Sequence, residues 1–359
     1  MLQALVDQLR EGVVVVREGH IALMNPAAAK LLNLDISPAG IASITGMAFE
    51  AAIPYESLYP LVANHTAGER DDVGGAAVTK TRFEVETPKG PRHLLAQVSD
   101  LRVSSGEAGG TASVGRVLVL TDITELQRTI QMRADFVANA SHELRTPLST
   151  IRAATETLLG MDLTTEAQSA RRFLEAIDRN GERLERLVAD LLDLSRLETS
   201  KARFEPEPVD IRNVFDELTA RWADAARGKG VAWKAQVLLN GDATVEVNPH
   251  LLRLVLDNLV ENAIKFTDGG GAVSVKANAD DATATFEVSD TGCGIPREEQ
   301  QRVFERFYQV RQDRAGVERG TGLGLSIVRH AVGTMSGKLR LESEVGVGTR
   351  VTVEIPQKR

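Results

Sequence analysis

The stretch SHELRTPL at 141–148 sets a histidine, a carboxylate, a guanidinium, a hydroxyl and a proline together inside an otherwise helical pattern. A neutral imidazole is a nucleophile and a proton carrier near neutral pH, so His142 is either a reactive group or a plain surface residue. A second polar set falls on LLRLVLDNLVENAIKFT, a helix opened by the N-cap and N1 pair Asn248-Pro249. Asn258, Asn262 and Lys265 stand there at i, i+4 and i+7 and share one stripe, apart from the apolar face of Leu251, Leu252, Val255 and Leu259. Amide oxygens suit Mg²⁺ and an ammonium suits phosphate; a solvated face is the other reading of the same stripe. In ATATFEVSDTGCGI, Asp290 ends a strand ahead of Gly292 and Gly294. That fits turn chemistry, or an acceptor for an exocyclic amine such as that of adenine. GTGLGLSIV then places Gly320, Gly322 and Gly324 just before a helix, where backbone N–H groups can wrap an anion. The spacing is not that of a dinucleotide fingerprint, and no G-x-x-x-x-G-K-[ST] loop occurs.

These groups need elements to hold them, and the chain changes texture twice. Up to about residue 120 it reads as short strands and turns: VVVV at 13–16, then IALMNP leading into an alanine-rich helix over 26–34. RFEVE and HLLAQV follow, joined by the hairpin TPKGP, then a glycine-rich loop at 106–110 and RVLVL at 116–120. From about 122 to 200 the pattern is helical. Ile123, Ile130, Val137, Leu144, Ile151 and Leu158 recur every seventh residue. After a break at GMDLTT come Ile177, Leu184 and Leu191, with Phe173, Leu187 and Leu194 offset by three or four. Two heptad-patterned helices and a short loop predict an antiparallel hairpin, with Asn180-Gly181 a weak point in its second helix. A lone hairpin leaves apolar surface uncovered, widened by Leu148, Val188 and Leu192, and two copies forming a four-helix bundle would cover it. On this frame His142 takes the f position and points to water, while Pro147 removes a backbone donor and predicts a bend. FEPEPVD at 204–210 marks the next boundary, after which strands alternate with helices. The charged, glycine-containing YQVRQDRAGVERG has the character of a mobile lid, and GVGT at 346–349 that of a hairpin turn.

The bulk numbers narrow the classes. A length of 359 residues suggests two or three domains, and 43% hydrophobic with 26% charged residues is ordinary for a soluble globular chain. A net charge of −8 gives no broad basic surface for direct nucleic-acid binding. The single cysteine, Cys293, excludes an intrachain disulfide framework and a multi-cysteine zinc site. No apolar run approaches the roughly 20 residues of a transmembrane helix, and MLQALVDQLREG lacks the form of a signal peptide. The expectation is a cytoplasmic protein with no membrane-spanning segment in this chain.

In order and spacing, SHELRTPL, NLVENAIKFT, DTGCGI, FERFYQV, GTGLGLSIV and GVGT resemble the H, N, G1, F, G2 and G3 boxes of a sensor histidine kinase. The resemblance covers about 122–359, and FVANASHELRTPL is most similar to the phosphate-regulon kind. EGHIALMNPAAAKLL and VLVLTDITE, within 1–125, resemble parts of a PAS sensor domain. The resemblance implies a multidomain α+β chain: a PAS-like α/β sensor domain over 1–121, a dimerisation and histidine-phosphotransfer helical hairpin over 122–203 that forms a dimeric four-helix bundle, and a catalytic ATP-binding α/β sandwich of the histidine kinase, gyrase and chaperone type over 204–359. It implies ATP and Mg²⁺ as cofactors, a homodimer through the hairpin, and a response regulator receiver domain as partner. His142 would be the phospho-acceptor, Glu143 the base that polarises its imidazole, and Thr146 a residue that positions water during dephosphorylation of the partner. Asn262 would hold Mg²⁺, with Asn258, Lys265 and Phe266 beside it and Asp290 on the adenine amine. Gly292, Gly294, Arg319, Gly320, Thr321, Gly322, Leu323 and Gly324 would line the nucleotide loops, with Phe304 and Phe307 anchoring the lid and Arg314 a further lid cation.

The activity this implies is autophosphorylation of His142 from ATP, then transfer to an aspartate of the response regulator, with phosphatase activity towards it. The alternative is an ATP-regulated phosphatase or signalling scaffold without net kinase activity. A PAS-gated ATPase is the third reading. ATP-hydrolysing relatives of this fold carry a glutamate at the position of Asn258, and an amide is a poor base. TMSGKL at 334–339 departs from the family in having Ser336 where glycine is frequent. The PAS-like region offers only His20, His65 and His93 as haem ligands and no cysteine for flavin photochemistry, so no cofactor is expected there.

Overall fold

The computed structural model describes residues 2–34, 40–63, 69–73, 76–88, 90–104, 111–162, 166–199, 205–238, 243–280, 282–310 and 320–357. The chain forms two compact units, Met1–Asp135 and Phe136–Arg359.

The first unit contains α1 (Leu2–Asp7), β1 (Gly12–Arg17), β2 (His20–Met24), α2 (Pro26–Leu31), α3 (Ile41–Ile44), α4 (Phe49–Ala52), α5 (Tyr59–Ala63), β3 (Glu69–Val73), β4 (Ala76–Val85), β5 (Arg92–Ser104) and β6 (Thr111–Asp122). The strands make one antiparallel sheet in the order β2-β1-β6-β5-β4-β3. Alternation is clear in β1, where Val14 and Val16 are buried beneath Ile21, Leu118 and Leu120 of the same core. The hairpin expected around TPKGP pairs Phe83 with Leu94. The alanine-rich helix is shorter than expected, ending at Leu31 because Asn33 takes a left-handed φ of 51° that no α-helix continues through. Asn25 caps that helix from full burial: its Oδ1 accepts from Val13 and Ala28 N–H, and its amide donates to the carbonyls of Val6 and Glu11. All four of its bonding capacities are met, as a buried amide requires. The glycine-rich loop at 106–110 lies outside the described residues.

The sequence boundary expected at 121/122 falls at the end of β6, just before helix α6 (Thr124–Leu159), whereas the compact units divide within α6. It returns as α7 (Ala167–Thr199). Glu143 on α6 accepts from Arg183 on α7 at 2.9 Å, and Ala154 and Ala170, at similar distances from the turn, are both buried. That register is the antiparallel hairpin read from the heptads. Pro147 is buried inside a continuous α6. Helix α7 is likewise unbroken at Asn180-Gly181, which corrects the expected weak point. Asn180 donates its amide back to the Ala176 carbonyl at 2.7 Å, and no neighbour crowds Gly181.

The remainder is a two-layer α/β sandwich. It comprises β7 (Glu207–Asp210), α8 (Ile211–Gly228), β8 (Ala232–Val237), β9 (Thr244–Val247), α9 (Pro249–Phe266), β10 (Ala272–Ala279), β11 (Thr283–Asp290), α10 (Gly324–Thr334), β12 (Lys338–Glu344) and β13 (Gly348–Pro356). Its main sheet runs β12-β13-β11-β10-β8, with β8 parallel to β10 and the other pairs antiparallel; β7 pairs with β9 separately. Alternate residues of β10 and β11 (Val273, Val275 and Ala277; Ala284, Phe286 and Val288) are buried against α9, whose Leu251, Leu252, Val255 and Leu256 are fully inaccessible. One correction concerns α7. Leu187 and Leu194, read on the heptad seam of the hairpin, are buried in the core of the sandwich beside Leu197. Helix α7 packs against α10, so its apolar stripe is shared between two partners rather than given to one. Leu148, Leu174, Val188 and Leu192 remain about half exposed on the hairpin. Among the described residues no helix is long and apolar enough to cross a membrane.

Candidate functional site

The site is built around the last turns of α9. Asn258, Asn262 and Lys265 form a partly buried polar stripe on a helix whose other face is core, so the spacing read from sequence does place them together. A helix end leaves four carbonyls without intrahelical donors, and each of these four is met. Thr267 Oγ1 donates to Ala263 at 2.6 Å, Lys229 Nζ to Ile264 and Lys265 at 2.9 and 2.5 Å, and the Cys293 N–H to Phe266 at 3.2 Å. The lysine cation also sits favourably at the negative end of the helix dipole. The result is a fixed backbone at Lys265 and a tie between the end of α9 and the 290–294 loop at Cys293. The Lys265 ammonium lies 5.6 Å from the centre of the Phe266 ring, and Phe266 is 40% exposed at the rim.

The glycine loop closes over this stripe. A Cβ on Gly324 would stand 2.7 Å from Asn258 Oδ1 and 3.7 Å from Asn262 Nδ2, and one on Gly320 would stand 3.0 Å from Lys265 Nζ. Asn258 is oriented by donating its amide to the Leu254 carbonyl at 2.8 Å, which turns its oxygen to Gly324. Gly322 takes φ +72°, and its carbonyl accepts from Phe307 N–H at 2.9 Å; Gln309 donates to the Gly320 carbonyl at 2.7 Å. Leu323 is fully buried, so only its backbone belongs to the loop. Its N–H donates to Thr321 Oγ1 at 3.2 Å, and the Thr321 hydroxyl donates to Asp190 Oδ2 on α7 at 2.6 Å.

On the opposite wall, Asp290 Oδ1 accepts from Gly292 N–H at 2.8 Å and Thr349 N–H at 3.2 Å. Burial raises the Asp290 carboxyl above its ordinary range, and those two backbone donors partly offset the rise. Gly294, at φ +70°, packs so closely on the end of β12 that a Cβ would lie 2.0 Å from the Glu344 carbonyl oxygen. GVGT, read as a simple turn, therefore also braces the loop: Gly348 approaches the Asp290 backbone as closely.

His142 is exposed on α6, and Thr146 back-bonds to the His142 carbonyl at 3.3 Å. Glu143 is turned to Arg183, as adjacent helical residues do not face each other. Phe307 packs against Phe136 of α6, with centroids 5.8 Å apart and Arg306 at 5.3 Å from the Phe136 ring. Phe304 is partly buried in the short 3-10 turn that precedes it. Arg314, Arg319 and most of the lid, 311–319, lie outside the described residues. Sequence reasoning missed Asp190, Arg183, Lys229 and Gln309. Only long-range contacts bring these to the site, and no local pattern marks them.

The fit to a nucleotide with a divalent cation is good on this geometry. The Asn258 amide oxygen, the Asn262 amide, one ammonium and a cradle that a single Cβ would fill converge on one loop, and Mg²⁺ is normally held by one or two protein oxygens together with phosphates.

Residues 247–359 match the family model described as histidine kinase-, DNA gyrase B-, and HSP90-like ATPase, and residues 132–200 match the His Kinase A (phospho-acceptor) domain. The sensor histidine kinase WalK of Bacillus subtilis is 31% identical over 360 residues, covering 99% of this chain and 55% of its own length. The sensor-like histidine kinase SenX3 of Mycolicibacterium smegmatis is 33% identical over 276 residues, covering 72% of this chain and 70% of its own length. This chain thus spans little more than half of the first of these relatives and about two thirds of the second. The histidine kinase ThkA, solved in complex with the response regulator protein TrrA, shares the fold with a TM-score of 0.51 at 19% identity, over 97% of this chain and 96% of its own.

Proposed function

We propose, from the premise that the chain belongs to the sensor histidine kinase family, that it phosphorylates its own His142 from ATP and passes the phosphoryl group to an aspartate of a response regulator. What supports this most directly is one observation: the amide-and-ammonium stripe of α9 closes on a glycine loop in the same compact unit as an exposed histidine.

Each residue then has a task. Asp290, with Oδ1 occupied by two backbone donors, keeps Oδ2 as the acceptor for the adenine amine. Lys265 and the N–H groups of 320–324 receive the phosphates, and Asn262 would hold Mg²⁺, which supplies charge neutralisation to the triphosphate. A ring nitrogen of His142 attacks the γ-phosphorus, the bond to the β–γ bridging oxygen breaks, and ADP departs. The second ring nitrogen carries the proton, and Glu143 stabilises it by accepting its hydrogen bond. For that, Glu143 must exchange Arg183 for His142. Thr146, one turn on, positions water when the phosphorylated partner is hydrolysed.

The wider assignments follow the same premise. The strand order of the first unit and its helices between β2 and β3 support a PAS-like sensor domain over 1–121, ahead of a hairpin over 122–203 and a catalytic domain over 204–359. The half-exposed Leu148, Leu174, Val188 and Leu192 favour a homodimer through the hairpin. The setting is cytoplasmic, and the likeness to the phosphate-regulon kind rests on FVANASHELRTPL.

The test is Asn262→Ala with Mg²⁺ and γ-labelled ATP. Loss of one metal-holding oxygen is expected to lower the labelling rate by roughly 100-fold or more, with the fold retained by thermal melting. Labelling at the native rate would overturn the assignment of the stripe.

A further inference from the structure

We infer that Asp190 is a positioning residue that withholds the glycine loop from nucleotide, so that the docking of α7 on the catalytic layer and the binding of a triphosphate oppose each other. The inference rests on 320–324 being the phosphate loop proposed above. Thr321 has one hydroxyl proton, and Asp190 Oδ2 takes it at 2.6 Å. The lone pair of Thr321 Oγ1 takes the Leu323 N–H, at the N-cap of α10. Two donors that a phosphate would use at this helix start are thus already spent.

Facing Asp190 are Glu261 from α9, Asp193 and Arg186 from its own helix, and the Thr321 hydroxyl. Arg186 is shared with Glu261 at 4.0 Å. The contact is also anchored by apolar packing: Leu187 and Leu194 are buried in the sandwich core, and Phe136 meets the ring of Phe307, whose N–H holds the Gly322 carbonyl. The loop is therefore gripped at Thr321 by α7 and at Gly322 by a residue packed on α6.

Asp190 gives this contact a pH signature. Burial pushes its carboxyl up from 3.8 to about 6, against the bond from Thr321. A raised carboxylate pKa means the docked form binds the proton more tightly. The docking contribution is therefore full below about 3.8 and is lost as pH rises through about 6. Nucleotide affinity moves the opposite way and weakens on acidification through that window.

The experiment titrates trinitrophenyl-ATP into the whole chain at pH 5.5 and 7.5, for wild type, Asp190→Ala and Asp190→Asn, with the KM and kcat of autophosphorylation measured alongside. Asp190→Ala frees Thr321 and is expected to bind about tenfold more tightly than wild type at pH 5.5, where the docking contribution persists, with a smaller gain at pH 7.5, lowering KM more than it changes kcat. Asp190→Asn keeps the acceptor and mimics the protonated carboxyl, so it should bind no better than wild type at pH 5.5 and lack the wild-type pH slope. The terminal phosphate of the probe itself titrates at about pH 6, so the slope is read as the difference between wild type and Asp190→Asn. Equal or weaker binding by a folded Asp190→Ala overturns the inference. No binding by any form, wild type included, would instead overturn the nucleotide site on which it rests.

Discussion

Replacing His142 by alanine is expected to abolish phosphoryl label on the chain while leaving nucleotide affinity and melting temperature at wild-type values. The separation follows from where the side chain stands. It is exposed on α6, whereas the Asn258, Asn262 and Lys265 stripe is built by α9 and the loops at 290–294 and 320–324. Alanine is a better helix former than histidine, and exposed substitutions of this kind usually stay within about 0.5 kcal/mol. The chemistry loses its only proposed nucleophile, so the expected loss is complete rather than graded. Label incorporation, a nucleotide titration and a melt on the same preparation check all three parts. Persistent label on the variant would move the acceptor elsewhere.

The second large effect is expected at Gly294. Alanine there must keep φ near +70°, and its Cβ would meet the Glu344 carbonyl at 2.0 Å and Val345 Cα at 2.9 Å. A left-handed non-glycine residue costs about 1–2 kcal/mol before any clash. The clash is with backbone at the end of β12, which cannot rotate away as a side chain can. A total of about 3 kcal/mol or more is expected, together with loss of nucleotide binding, because the loop that carries Asp290 is displaced. Gly270 is the control: its φ is +90° but nothing stands within 4 Å of the added carbon, so Gly270→Ala should show the backbone cost alone. Equal melting temperatures for the two variants would show that the close packing on Glu344 is not what holds the loop.

Much of this site was legible because its signals are local. The i, i+4, i+7 spacing of Asn258, Asn262 and Lys265 places a stripe on any helix, and glycines ahead of a helix start mark an anion cradle whatever surrounds them. The heptads of 123–158 and 173–194 likewise gave the hairpin, and the Glu143–Arg183 bond keeps its register. What escaped lies in pairings that period cannot specify. Leu187 and Leu194 are apolar at the right spacing for a seam, yet a stripe wider than a seam can serve a second partner, and here the sandwich core takes them. Thr321 reads as a loop residue, but its partner Asp190 lies 131 residues away. Lys229 caps α9 from a separate helix end, 35 and 36 residues from its acceptors. Asn180-Gly181 misled in the other direction: helix propensity is a weak prior, and the amide of Asn180 found a carbonyl one turn back.

The most direct test of autophosphorylation is the chemistry of the bond formed when the wild-type chain is incubated with Mg²⁺ and γ-labelled ATP. Label that is labile in acid, stable in alkali and mapped to the peptide containing His142 is the expected result, since a phosphoramidate has that profile. Label that survives acid, or that maps to a serine or threonine, would contradict phosphoryl transfer to the imidazole. So would nucleotide binding without any label on the chain.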